Sequence, residues 1–163
     1  MPQATALAQT SHFLTTLPLP LVVERRFELL ELKVGKHGTQ ALFLAREDCL
    51  VTSRFPGFDR QLTTILPSLL HNVICYNDQN QPFSVEMLAT ETGHLFEHVW
   101  LEVLACEKLR TCPQAHFCGQ TDWNWKKDRR GMFRVSLNAT DRDRDLVESS
   151  AQASLRILEQ VLR

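Results

Sequence analysis

The sequence predicts a single α+β domain in which helices pack on an antiparallel or mixed sheet. Three observations carry that expectation. Two strand-like runs flank a glycine-bounded turn near the start, and a long, almost unbroken apolar pattern from Leu88 to Leu109 reads as a buried helix. The elements follow in the order strand, strand, helix, helix, strand, strand, helix, with no regular strand-helix alternation that would signal a parallel sheet. At 163 residues, 44% hydrophobic and 23% charged, the chain suits one domain with its own core.

Residues 1–24 are expected to form a flexible N-terminal segment, leaving 25–163 as the domain. Arg26 to Val34 and Thr39 to Arg46 are the two strand-like runs, and Gly35-Lys36-His37-Gly38 between them makes a hairpin turn. Phe58 to Leu70 carries Phe58, Leu62, Ile65, Leu66 and Leu69 at helical spacing, with Pro67 expected to end or bend the helix. Polar Asn77 to Gln81 reads as a loop. The next helix begins near Phe83 or Thr90 and runs to about Leu109, its Leu95, Phe96, Val99, Trp100, Leu101, Val103 and Leu104 leaving few positions for solvent. Ala115 to Gly119 and Met132 to Leu137 are the next strands. Between them lies a polar, aromatic and basic connector, Trp123 to Arg130. Thr140 with Asp143 resembles a capping box, and Leu146, Ser150, Ala153, Ile157 and Val161 trace one face of a closing helix.

The net charge of -1 gives no global reason to bind nucleic acid or an anionic membrane. The Trp123–Arg130 connector has the ingredients of a single-strand groove, but Asp122 and Asp128 dilute its charge, and a hairpin tip capping the core is the plainer reading. The first residues lack a basic region and an uninterrupted apolar core, so neither a signal peptide nor a transmembrane span is expected. Five scattered cysteines, none in a C-x-x-C pair, suit reduced thiols in a cytoplasmic protein.

The chemistry concentrates in His94-Leu95-Phe96-Glu97-His98. Residues four apart share one helix face with Cβ atoms about 5 to 6 Å apart, so two imidazoles can converge on one zinc ion. This H-x-x-E-H order inverts that of the H-E-x-x-H zinc peptidases, whose carboxylate takes a proton from metal-bound water. His94 and His98 are therefore candidate zinc ligands and Glu97 the candidate catalytic base. Burial strengthens the case, because a buried carboxylate beside imidazoles needs partners that a metal can supply. The alternative is a buried hydrogen-bond network of the same side chains.

Zinc needs a third ligand, and several residues qualify. Cys118 comes first and shares one side of a predicted strand with His116. Glu102, four residues past His98, is a ligand or a carboxylate that orients a ligating imidazole. His71 and Cys75 are further candidates, each more plainly read as a helix-end histidine or a buried thiol. His12 and His37 fall in the expected tail and turn.

From Phe55 onward the chain also resembles the N-terminal domain of cyanophycin synthetases, which build a poly-aspartate polymer carrying arginine on its side chains. The likeness runs through Pro56-Gly57-Phe58, Leu66-Pro67-Ser68-Leu69, Cys75, Thr90, Gly93-His94, Glu97-His98-Val99, Leu101-Glu102, Gly119, Thr121 and Gly131. Trp100 stands where that family carries a small residue, Gln120 where it carries arginine, and the Trp123–Arg130 stretch is an addition. The chain has neither the phosphate-binding loop nor the length of the synthetases' ATP-using modules. The resemblance implies a domain that binds cyanophycin or a related Asp/Arg peptide, cleaves it with a metal, or docks on a synthetase. These expectations make the chain a zinc-dependent hydrolase of a peptide or isopeptide bond, or a non-catalytic module of the same kind.

Overall fold

The computed structural model describes residues 24–72, 75–76 and 81–163, excluding the side chains of residues 71 and 72. The expected N-terminal segment, with His12, and most of the expected loop at 77–81 therefore lie outside the described residues. Strands β1 (Phe27–Gly35) and β2 (Gly38–Ala45) form the expected hairpin, and helix α1 (Phe58–Ile65) stops just ahead of Pro67. After a short α2 (Leu69–Asn72) and α3 (Phe83–Glu86) comes the long α4 (Thr92–Leu109). Strands β3 (Gly119–Asp122) and β4 (Met132–Leu137) follow, then α5 (Arg144–Val161).

The strands make one antiparallel sheet in the order β1-β2-β4-β3. One face is apolar because inward positions alternate with outward ones. Phe27, Ala41, Phe43, Ala45, Phe133, Val135 and Leu137 are buried there. Helix α4 lies across β2, β3 and β4, and α5 packs beside it against β1. Phe43 stacks on Phe96 of α4 at 4.6 Å between ring centroids. Trp100 is wholly buried toward α5, where its indole N–H donates to Ser150 Oγ at 3.0 Å. The small serines of α5 make room for this large ring.

Gly93 sets how closely α4 approaches the sheet. A Cβ on Gly93 would stand only 2.2 Å from Cγ of Phe133 on β4, so no larger residue fits without moving the helix or the ring. At Gly131, φ is +88° and a Cβ would meet the Ala45 carbonyl oxygen at 2.1 Å, so the turn into β4 also needs glycine.

Three expectations are corrected. The strand expected at Ala115–Gly119 begins only at Gly119 and runs to Asp122. In the β3–β4 register, Ala115 to Phe117 would face Ala139 to Asp141, where the chain has already turned toward α5. No capping box forms at Thr140 and Asp143. Asp143 instead accepts a hydrogen bond from Lys108 Nζ at 2.7 Å, tying α5 to the end of α4. The buried face of α5 is Val147, Ser150, Ala151, Ser154, Leu158 and Val161, one residue round from the expected stripe, because the helix meets α4, α1 and β1 together. Leu146 and Ile157 sit at its margin, partly buried.

The Trp123–Arg130 connector caps the sheet. Trp123 and Trp125 both meet the Phe133 ring edge-on, and Trp125 Nε1 donates to the Met132 carbonyl at 3.0 Å. Among the described residues no helix is long and apolar enough to cross a membrane.

Gly93→Ala should lower stability by about 1–3 kcal/mol through overpacking against Phe133. Urea unfolding will register it as a lower midpoint with an unchanged slope.

Candidate metal centre

The start of α4 is held by a small patch of extended pairing. Glu91 bridges Val51, and the N–H groups of Thr52 and Thr92 donate to the carbonyls of Thr90 and Leu50, each at 2.9 Å. The Thr90 N–H in turn donates to Thr52 Oγ1 at 2.9 Å. This latch fixes the first turn, so His94 and His98 emerge side by side from a helix whose direction is already set.

Their Nε2 atoms are 3.0 Å apart, and Cys75 Sγ lies 3.5 Å from His94 Nε2. The three donors all fall within 4.8 Å of one another. Two nitrogens on a tetrahedral zinc are about 3.3 Å apart, and a nitrogen and a sulfur about 3.6 Å, from bond lengths near 2.05 and 2.3 Å. Cys75, His94 and His98 thus have the chemistry and nearly the spacing to hold a metal ion.

The outer nitrogens fit the same reading. His94 Nδ1 is 2.9 Å from Thr90 Oγ1, with Glu86 Oε1 farther off at 3.9 Å; in the tautomer whose Nδ1–H donates to Thr90, Nε2 keeps its lone pair for a metal. His98 Nδ1 is buried with no hydrogen-bond partner among the described residues, an uncompensated polar group in a residue that is 3% exposed. Phe83 covers that ring, 4.0 Å away between centroids. Burial, helped by the neighbouring His94 charge, pulls the His98 pKa down to about 3, and burial also lowers that of His94 against the pull of Glu86. Both imidazoles are therefore neutral at pH 7, the state in which they bind metals.

Glu97 faces another way. It is 5% exposed, and its Oε2 accepts the Thr121 hydroxyl of β3 at 2.5 Å. Burial raises its pKa, with the Thr121 bond opposing the rise. A Cβ on Gly119 would lie 3.0 Å from Glu97 Oε1, so glycine there keeps space beside the carboxyl.

The structure brings Cys75 together with His94 and His98, while Cys118, His116 and Glu102 lie elsewhere. Cys118 is exposed ahead of β3, with its N–H donating to Asn138 Oδ1 at 2.9 Å. His116 is exposed in the same irregular segment, and only the backbone of His71, in α2, falls within the described residues. Glu102 is buried one turn past His98, accepting the Ser68 hydroxyl and, at 3.3 Å, the Cys106 thiol. Sequence reasoning passed over Glu86 and the part played by Thr90. Thr90 was discoverable, since it precedes His94 by the same four residues that separate His94 from His98. Glu86 carried no such signal.

The chain matches no protein-family model and no curated protein sequence. Its likeness to the cyanophycin synthetase domain therefore rests on the residues quoted above.

The depressed histidine pKa values have a consequence for stability. The unfolded chain takes up protons near the ordinary value of 6.5, whereas folded His98 resists them until about 3. The metal-free protein should therefore lose stability as pH falls through that window, most steeply below 6. Thermal melts at stepped pH will show it, and His98→Gln should flatten the slope.

Proposed function

We propose that this chain is a zinc-dependent hydrolase acting on a peptide or isopeptide bond, with cyanophycin or a related Asp/Arg peptide as its substrate. The observation that carries the reading is the convergence of Cys75, His94 and His98, because three protein ligands are the number that leaves zinc a position for substrate or water. Cys75, His94 and His98 would hold the zinc, and the chemistry it would supply there is Lewis acidity.

The chain's own residues do the rest. Thr90, by accepting the Nδ1–H, would hold His94 in the tautomer that presents Nε2. Phe83 excludes water from the His98 ring. Glu97 lies on the same helix turn, and its raised pKa suits a group that takes a proton and passes it to a leaving amine. Thr121 anchors Oε2, so Oε1, on the Gly119 side, is the atom that carries the proton. The choice of cyanophycin rests on the Gly93-His94, Glu97-His98-Val99 and Leu101-Glu102 likeness.

A second reading, a non-catalytic module that binds cyanophycin or docks on a synthetase, is favoured by one observation. Glu97 is bonded to Thr121 and stands outside the donor cluster. The two readings diverge at Glu97.

Protein purified without chelator and supplied with zinc should hold about one zinc per chain by elemental analysis. Cys75→Ser and His98→Ala should each lose it. Folded protein that takes up no zinc would end the hydrolase reading. Glu97→Gln should keep the metal while hydrolysis falls by about 10²-fold or more, because an amide fills the space but accepts no proton. Equal turnover in this variant would favour a non-catalytic carboxyl.

A further inference from the structure

We infer that the open edge of β3 is a docking site for an extended peptide, which adds to the sheet as a fifth strand beside Glu97. The inference rests on the hydrolase reading for calling that peptide a substrate, and on the sheet alone for the way it binds.

The register shows which backbone groups are unused. The Asn138 N–H donates to the Cys118 carbonyl at 3.0 Å, so those two residues form a hydrogen-bonded antiparallel pair. Such pairs alternate along a ladder, so Gln120 with Ser136 and Asp122 with Arg134 are also hydrogen-bonded. The far side of β4 agrees. Ala45 donates to the Gly131 carbonyl at 2.9 Å, which directs Phe133, Val135 and Leu137 toward β2 and leaves Arg134 and Ser136 for β3. By elimination, the N–H and C=O groups of Gly119 and Thr121 point away from β4 into the open edge. Among the described residues nothing pairs with them.

The two edges of this sheet are not alike. Strand β1 carries a bulge between Leu29 and Glu31, charged Glu28, Glu31 and Lys33, and α5 packed against it. These features discourage a further strand. Strand β3 has an unbroken register and no proline or lysine, and Gly119, Gln120 and Asp122 are exposed. Two donors and two acceptors at alternate residues are the complement of an extended main chain, the mode by which peptides extend exposed sheet edges.

The position of the edge links it to the candidate centre. The Thr121 side chain bonds Glu97, and Gly119 leaves the space beside Oε1 clear. At about 100° per residue, the order around α4 is Gly93 against β4, Glu97 over β3, then His94 and His98 turned about 60° and 100° beyond Glu97. A strand added about 4.8 Å outside β3 runs along the side of the helix toward which that order proceeds. Its carbonyls then pass between Glu97 and the metal donors.

Residue-resolved amide hydrogen exchange on zinc-loaded, full-length Glu97→Gln tests this, with an Asp/Arg cyanophycin peptide and oxidised insulin B chain as separate probes. Exchange at Gly119 and Thr121 should slow tenfold or more with a bound probe, while Gln120 and Asp122, already paired with β4, should not change. A probe that binds the variant or is cleaved by the wild type without slowing those two amides overturns the inference. So does failure of both probes to bind. Slowing at Gly119 and Thr121 with no cleavage by the wild type leaves the edge site standing and removes the hydrolase reading.

Discussion

The close seating of α4 on the sheet at Gly93 is the constraint from which the rest of the site follows. With the Phe133 ring occupying the space a Cβ would need, the helix comes down onto β4 at its first turn. That contact fixes rotation as well as distance. Glu97, four residues on, is carried over β3 to meet Thr121, and the two imidazoles are carried round toward Cys75. Trp100, seven residues on and on nearly the same face as Gly93, adds to the same constraint by filling the gap to α5. A helix free to roll would deliver the same residues to no common point.

This seating puts a line of polar groups where apolar ones would be cheaper. Thr90, His94, His98, Glu102 and Cys106 follow at four-residue intervals along one side of α4, and His98 and Glu102 are almost fully buried. Each such group must find a partner or cost stability. Thr90 serves His94, and Ser68 with Cys106 serves Glu102. At His98 the match is incomplete, because one ring nitrogen faces the other imidazole and the second has no hydrogen-bond partner among the described residues. A core built only for stability would place an apolar side chain there. A metal ion at Nε2, which the Cys75, His94 and His98 group could hold, would supply a reason for the imidazole that packing does not.

The sequence disclosed those parts of the fold that depend on local chemistry. The hairpin, β4 and the interruption at Pro67 appear where the glycines, the alternation and the proline put them. The long helix is equally plain because its apolar pattern persists for several turns. Errors arise where a distant partner decides. β3 starts late because β4 has already ended opposite Ala115 to Phe117, and Asp143 gives up its capping role to Lys108 of another helix. The candidate site divides in the same way. His94 and His98 are related by helix geometry and could be paired on paper. Cys75 joins them across 19 residues of chain through tertiary packing, which spacing rules do not encode. Cys118 comes first on paper and Glu102 is a further candidate, but β3 begins only after Cys118 and Glu102 bonds Ser68.

The order H-x-x-E-H has a geometric meaning in this fold. Placing the carboxylate three residues after the first histidine sets it about 60° to one side on the helix. The sheet contact through Gly93 makes that the β3 side. The carboxyl thereby lies against the edge strand β3, buried enough to raise its pKa. A purely structural glutamate needs partners for both oxygens, whereas here Thr121 satisfies one and a glycine leaves space beside the other. That asymmetry suits the proton-exchanging role proposed for Glu97. It gives the hydrolase reading an argument from Glu97 itself, separate from the metal donors.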